Sequence, residues 1–107
     1  MKALNPIKFV ANLTIEIEKY KTNIRNAENI EKARRNAIAM QGYINCTITF
    51  LNTMIDSENN DFTASLDELV NEWLVDMYGT LAEKAIELKM DSEYIHRLLQ
   101  KRDEIAY

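Results

Sequence analysis

Carboxylate side chains form the most distinctive chemical pattern in the sequence. Segment 56–76 holds seven acidic residues and no basic one: Asp56, Glu58, Asp61, Asp67, Glu68, Glu72 and Asp76. Glu68, Glu72 and Asp76 are spaced i, i+4 and i+8, which places them on one face of a helix. Like charges at this spacing each cost about 0.2–0.5 kcal/mol. A solvated acidic face explains the pattern, and so does a surface that binds a basic partner.

The distribution of charge along the chain is uneven, which indicates either a charged partner or simply a polarised soluble protein. Residues 1–54 contain eight basic and four acidic residues (net +4), and residues 55–107 contain five basic and thirteen acidic ones (net −8). The whole chain carries a net charge of −4. We therefore predict that the acidic region binds a protein with a basic surface. The predicted contact residues are Asp56, Glu58, Asp61, Glu68, Glu72 and Asp76.

Segment 80–102 carries a second pattern that is typical of binding. Its apolar positions are Leu81, Ala85 and Leu88 before a turn at 89–91, and Ile95, Leu98 and Leu99 after it. The pattern resembles a helix-turn-helix, in which the second helix lies in the DNA major groove. The resemblance implies nucleic-acid contacts from His96, Arg97, Gln100 and Lys101. An ordinary helical hairpin has the same apolar pattern.

Catalytic and metal-binding patterns are incomplete. The chain has one Cys, one His and two Gly, which exclude a cysteine-based zinc site, a dinucleotide-binding glycine loop and a phosphate-binding loop. Glu93-x-x-His96 is a single copy of a pair that di-iron bundles need twice. We predict a non-enzymatic protein without catalytic residues, metal or cofactor. Cys46 lies in the most apolar part of the chain, which predicts a buried, unreactive thiol.

Apolar periodicity predicts an all-α fold. The first helix follows Asn5-Pro6 and places on one face Val10, Leu13, Ile17, Tyr20 and Ile24. The second helix runs from about residue 28 to 55 and is apolar on several sides, as central helices are. Capping boxes at 65–68 and 80–83 begin two more helices, separated by Gly79, and a fifth follows the turn at 89–91. We predict one compact domain over 1–107, a bundle of about five helices with a long central second helix.

Two stretches leave a second fold class open. Residues 12–18 and 44–50 alternate between apolar and polar side chains, which is typical of half-buried strands. If both were strands, the fold would be α+β. The helical interpretation is preferred because the spacing of three and four residues extends further. On these helices we expect Trp73 in the core and Ile15 and Val75 exposed, one of them in a self-association or partner surface.

The sequence also leads to expectations about cellular location and function. No apolar stretch approaches 18 residues, and Met1 to Val10 lacks the continuous apolar segment of a signal peptide. Together with the single thiol, this predicts a cytoplasmic protein without membrane contact. The acidic, Asn- and Ile-rich composition is similar to that of small phage or mobile-element proteins. The leading hypothesis is a regulatory or inhibitory protein that binds another protein. The alternatives are a DNA-binding regulator and a structural subunit of an oligomer.

Overall fold

The computed structural model of this chain describes residues 6–54 and 60–106, and these residues form four α-helices. Side chains are described over 8–50 and 66–106. The helices are α1 (Pro6–Arg25), α2 (Ile30–Met54), α3 (Asn60–Glu87) and α4 (Ser92–Ala106). Neither described range contains a strand, so the all-α prediction is confirmed. The α+β alternative is wrong, because 12–18 lie within α1 and 44–50 within α2.

The predicted third and fourth helices are one continuous helix, α3, of 28 residues. Gly79 does not end it, and the capping box at 80–83 lies inside it. The reason is packing. Thr80, Leu81 and Ala82 are all buried, so the residues after Gly79 keep the chain on the core. Tertiary contacts of this kind override local start and stop signals. The predicted start at Ser65 is also displaced, since α3 begins at Asn60.

The central helix is α3. Among the described residues α3 packs against each of the other helices, whereas α2 packs against α1 and α3, and α4 packs against α3 alone. The prediction of a central second helix is therefore wrong. The apolar C-terminal half of α2 indicated burial on several sides, but Cys46 and Phe50 are exposed there.

The core lies where α1, α2 and α3 meet. Its larger buried side chains are Leu13, Ile17, Ile24, Met40, Ile44, Leu66, Val70, Trp73, Met77 and Leu81. The burial of Trp73 is therefore confirmed. Among the described residues of α4, only Leu98 is buried.

The molecule is elongated, which corrects the prediction of a compact bundle. Its Cα extents are 50 × 27 × 17 Å and its radius of gyration is 15.5 Å, against about 13 Å for a compact chain of this length. The length comes from α3, whose 28 residues span about 42 Å at the usual rise per residue. A long single helix with partners on different sides produces a flat, extended arrangement.

Side-chain caps and one unusual residue fix the two described turns. The Asn29 Oδ1 accepts a hydrogen bond from the Lys32 amide at 2.9 Å and so caps the start of α2. At the end of α3, the Lys89 amide donates to the Ile86 carbonyl (3.0 Å) and the Met90 amide to the Ala85 carbonyl (2.9 Å). This is a Schellman motif. Lys89 adopts the left-handed conformation there, with φ of 56°, a position that glycine usually takes.

Candidate protein-binding surface

A groove of about 520 Å³ lies between α3 and the end of α4. It is lined by Glu68, Asn71, Glu72, Val75 and Asp76 of α3, and by Ile105 and Ala106 of α4. We call it the acidic groove. The sequence predicted that the three carboxylates share a face. It did not predict that the end of α4 forms the opposite wall, since no local pattern sets how α4 folds back on α3.

Glu68 and Glu72 are the groove's accessible charges. Both side chains are exposed, and neither forms an ion pair with a side chain that the structure describes. They are one helical turn apart, so their repulsion is not offset within α3. Beside them, Val75 and Ile105 are half-buried and supply apolar surface. The prediction that Val75 is exposed is thus only partly met.

Asp76 has a structural partner that the sequence did not indicate. Its Oδ2 lies 3.2 Å from the Lys21 Nζ of α1, and the same ammonium lies 3.1 Å from the Glu18 Oε1. The Lys21 side chain is only 10% exposed, whereas both carboxylates are half exposed. Asp76 therefore helps to hold α1 against α3 while it forms part of the groove. Its partner is 55 residues away in sequence, beyond the reach of local spacing rules.

A second buried lysine joins the same two helices. The Lys84 side chain is 7% exposed. Its Nζ donates to the Arg25 carbonyl at 2.8 Å and lies 3.0 Å from the Glu87 Oε2. Arg25 is the last residue of α1, where the unpaired carbonyls carry partial negative charge. Lys84 therefore caps α1 from the side of α3.

The structure does not describe the side chains of the other three predicted contact residues. Asp56 and Glu58 lie outside the described residues. Asp61 lies in the helical backbone of α3, and its side chain is not among those described. The acidic groove is thus defined by Glu68, Glu72 and Asp76, the C-terminal part of the predicted set.

The predicted nucleic-acid residues lie together on the outer side of α4. His96, Arg97, Gln100 and Lys101 are all exposed. Arg97 is paired with Glu93 at 2.8 Å. The three basic residues of α4 are matched in number by its acidic ones, Glu93, Asp103 and Glu104. Binding to the phosphate backbone depends on a surplus of positive charge, and this face of α4 has none.

Cys46 is exposed, which corrects the prediction of a buried thiol. The surrounding part of α2 is uncharged and therefore resembles core sequence, but Cys46 is on the outer side of the helix. Ile15 is exposed as predicted. Across the described residues, no group of three or more His, Cys, Asp or Glu side chains is placed to hold a metal ion.

The geometry thus describes an all-helical protein with an acidic, partly apolar groove. Within 6–54 and 60–106, no helix has the length and hydropathy needed to cross a membrane. No protein-family model, curated protein or solved structure matches the chain. A function can therefore be argued only from the physical properties of its surfaces.

Proposed function

We propose that this protein is a small, non-enzymatic regulatory or inhibitory protein that binds another protein through the acidic groove. The observation that carries the proposal is the pairing of two exposed carboxylates, Glu68 and Glu72, with the apolar surface of Val75 and Ile105 in one groove. Protein interfaces combine an apolar centre with a polar rim in this way. A basic segment with an apolar side chain fits both features.

Electrostatics supports the same kind of partner. Residues 55–107 carry a net charge of −8, which attracts a basic surface before contact. Such steering raises the association rate more than it changes the dissociation rate, and salt weakens it. Binding is therefore expected to fall with ionic strength, mainly through slower association.

Charge reversal with a matched control tests the proposal. The variant Glu68→Lys/Glu72→Lys changes the groove, and Asp67→Lys/Glu83→Lys makes the same change in net charge at exposed positions of α3 outside the groove. The tagged wild type and both variants are used to capture proteins from the native host, and the captured proteins are identified by mass spectrometry.

We expect one protein to be retained by the wild type and by the Asp67→Lys/Glu83→Lys control, and to be lost with the groove variant. Equal loss in both variants would mean that net charge alone drives retention. Retention of duplex DNA in place of a protein would support the helix-turn-helix alternative and contradict the proposal.

A further inference from the structure

The outer face of α2 carries an uncharged row of side chains. No charged residue occurs between Asn36 and Phe50, although 28% of the chain is charged. Four exposed residues, Ile38, Gly42, Cys46 and Phe50, recur at intervals of four and form one ridge of the helix. Ile38 is 65% exposed and Phe50 51% exposed. We call these four residues the α2 row. Along the row the side chains are large, small, small and large.

The middle of the α2 row is open to close approach. Apart from its neighbours in the chain and the adjacent backbone of α2, no atom lies within 4 Å of where a Cβ atom on Gly42 would be, and Cys46 is also small. Next to the C-terminal end of the row lies an apolar groove of about 340 Å³, whose walls include Leu13, Tyr43, Cys46 and Phe50. A helix that crosses the row could approach at Gly42 and place a branched aliphatic side chain in this groove.

We propose that the α2 row is a homodimer interface in which the α2 helices of two copies cross in antiparallel orientation. The row is symmetric in size about its midpoint. A two-fold axis at that midpoint brings Ile38 of one copy beside Phe50 of the second, and Gly42 beside Cys46. Each copy inserts its Ile38 into the apolar groove of the other, which is the self-complementary contact that two-fold symmetry requires.

The size symmetry of the row selects a second copy as the occupant, and charge selects the antiparallel orientation. The chain has a net charge of −4, and the uncharged row is a face through which two copies can meet with little repulsion. A charged partner would gain no ion pair along the row. The ridge continues to the exposed Arg34. A parallel pair would place the two Arg34 side chains together, whereas the antiparallel pair keeps them at opposite ends.

The contact is small, so the dimer depends on concentration. Twelve residues separate Ile38 from Phe50, which is about 18 Å along the helix axis. One helix crossing with two grooves belongs to the low end of specific interfaces, below about 1,200 Å². The row lies on α2, away from the acidic groove on α3 and α4, and the inference is independent of the proposed function.

Sedimentation over a concentration series tests the interface. The wild type is expected to change from monomer to dimer between micromolar and millimolar concentrations. Gly42→Glu is expected to stay monomeric and folded, because the position is open and Glu favours helix more than Gly does. Ile38→Glu is expected to raise the dissociation constant at least tenfold. Ile86→Glu, at a site that is 57% exposed on α3, is the matched control and should leave it unchanged. A wild type that stays monomeric throughout, or a dimer that Gly42→Glu does not weaken, overturns the proposal.

Cross-linking tests the orientation. In the antiparallel pair a cysteine introduced by Gly42→Cys lies beside Cys46 of the second copy. Mild oxidation should therefore produce a covalent dimer in this variant and much less in the wild type. A bridge within one helix is excluded, since Cβ atoms four residues apart are about 5–6 Å from each other and a disulfide needs about 3.5–4.5 Å. Faster cross-linking of the wild type through its two Cys46 residues would contradict the antiparallel arrangement.

Discussion

The two junctions of α3 differ in how they are held. Against α1 and α2, α3 shares a core of buried side chains. Two links join α1 and α3: the ion pair of Lys21 with Asp76, and the hydrogen bond that Lys84 donates to the Arg25 carbonyl. Against α4, the described residues contribute one buried side chain from α4, Leu98, with others half-buried. Among the described residues the backbones of α3 and α4 are nevertheless in more extensive contact than those of any other helix pair, so the contrast lies in side-chain burial. Because α4 packs on one helix only and buries few of its own side chains, we predict that local opening begins there.

The largest expected effect on stability is at the junction of α3 with α1 and α2. Trp73 is 6% exposed and lies with Leu13 and Ile44 where α1, α2 and α3 meet. Trp73→Ala leaves a cavity beside residues of α1 and α2 and is expected to cost about 3–5 kcal/mol, the usual range for a large aromatic in a core. Chemical denaturation followed by circular dichroism measures this cost. A loss below about 1 kcal/mol would contradict a core role for Trp73.

Leu98→Ala tests the junction of α3 with α4. It is expected to cost about 2–3 kcal/mol, near the low end for a buried leucine, because the site is at the edge of the fold and can relax. Hydrogen exchange should show faster exchange across 92–106, while α1–α3 keep their protection. Binding at the acidic groove should weaken in parallel, since Ile105 is displaced. A uniform loss of protection over all four helices would mean that the junctions are equally strong.

The sequence predicts features that are set within one helix better than features that depend on contacts between helices. Helix type, the core face of α1 and the burial of Trp73 follow from local periodicity, which reports each helix separately. The prediction that Cys46 is buried was wrong because an uncharged, exposed ridge has the same composition as a core. The continuity of α3 through Gly79 and the partners of Lys21 and Lys84 were not predictable from local patterns. They depend on side chains brought together from distant parts of the chain. In the acidic groove, the shared face of Glu68 and Glu72 was predictable, but the apolar wall that α4 contributes was not.

Lys84→Met tests how much the hydrogen bond from Lys84 to the end of α1 contributes to stability. Methionine keeps the length and apolar contacts of the side chain but cannot donate to the Arg25 carbonyl. The expected cost is about 1–2 kcal/mol, because a hydrogen bond from a charged donor is lost while the cost of burying the charge is relieved. The control is Lys101→Met at an exposed position of α4, which should change stability by less than about 0.5 kcal/mol. Equal effects at the two positions would show that the cap on α1 contributes nothing to stability.

The smallest expected effect is a gain in stability at the turn between α3 and α4. Lys89 has φ of 56°, a conformation that costs a residue with a side chain about 1–2 kcal/mol and glycine much less. Its backbone amide, not its side chain, makes the Schellman hydrogen bond, so Lys89→Gly keeps the motif. The greater flexibility of glycine in the unfolded chain offsets part of the gain, and a net stabilisation of about 0.5–1 kcal/mol is expected. Thermal unfolding should therefore show a higher Tm for Lys89→Gly, and slower hydrogen exchange at the start of α4. The matched control is Lys32→Gly, in the first turn of α2, where the left-handed conformation is absent and glycine should be destabilising. A lower Tm for Lys89→Gly would mean that backbone strain at Lys89 does not reduce the stability of the protein. The stability of the junction between α3 and α4 would then depend on its few buried side chains alone.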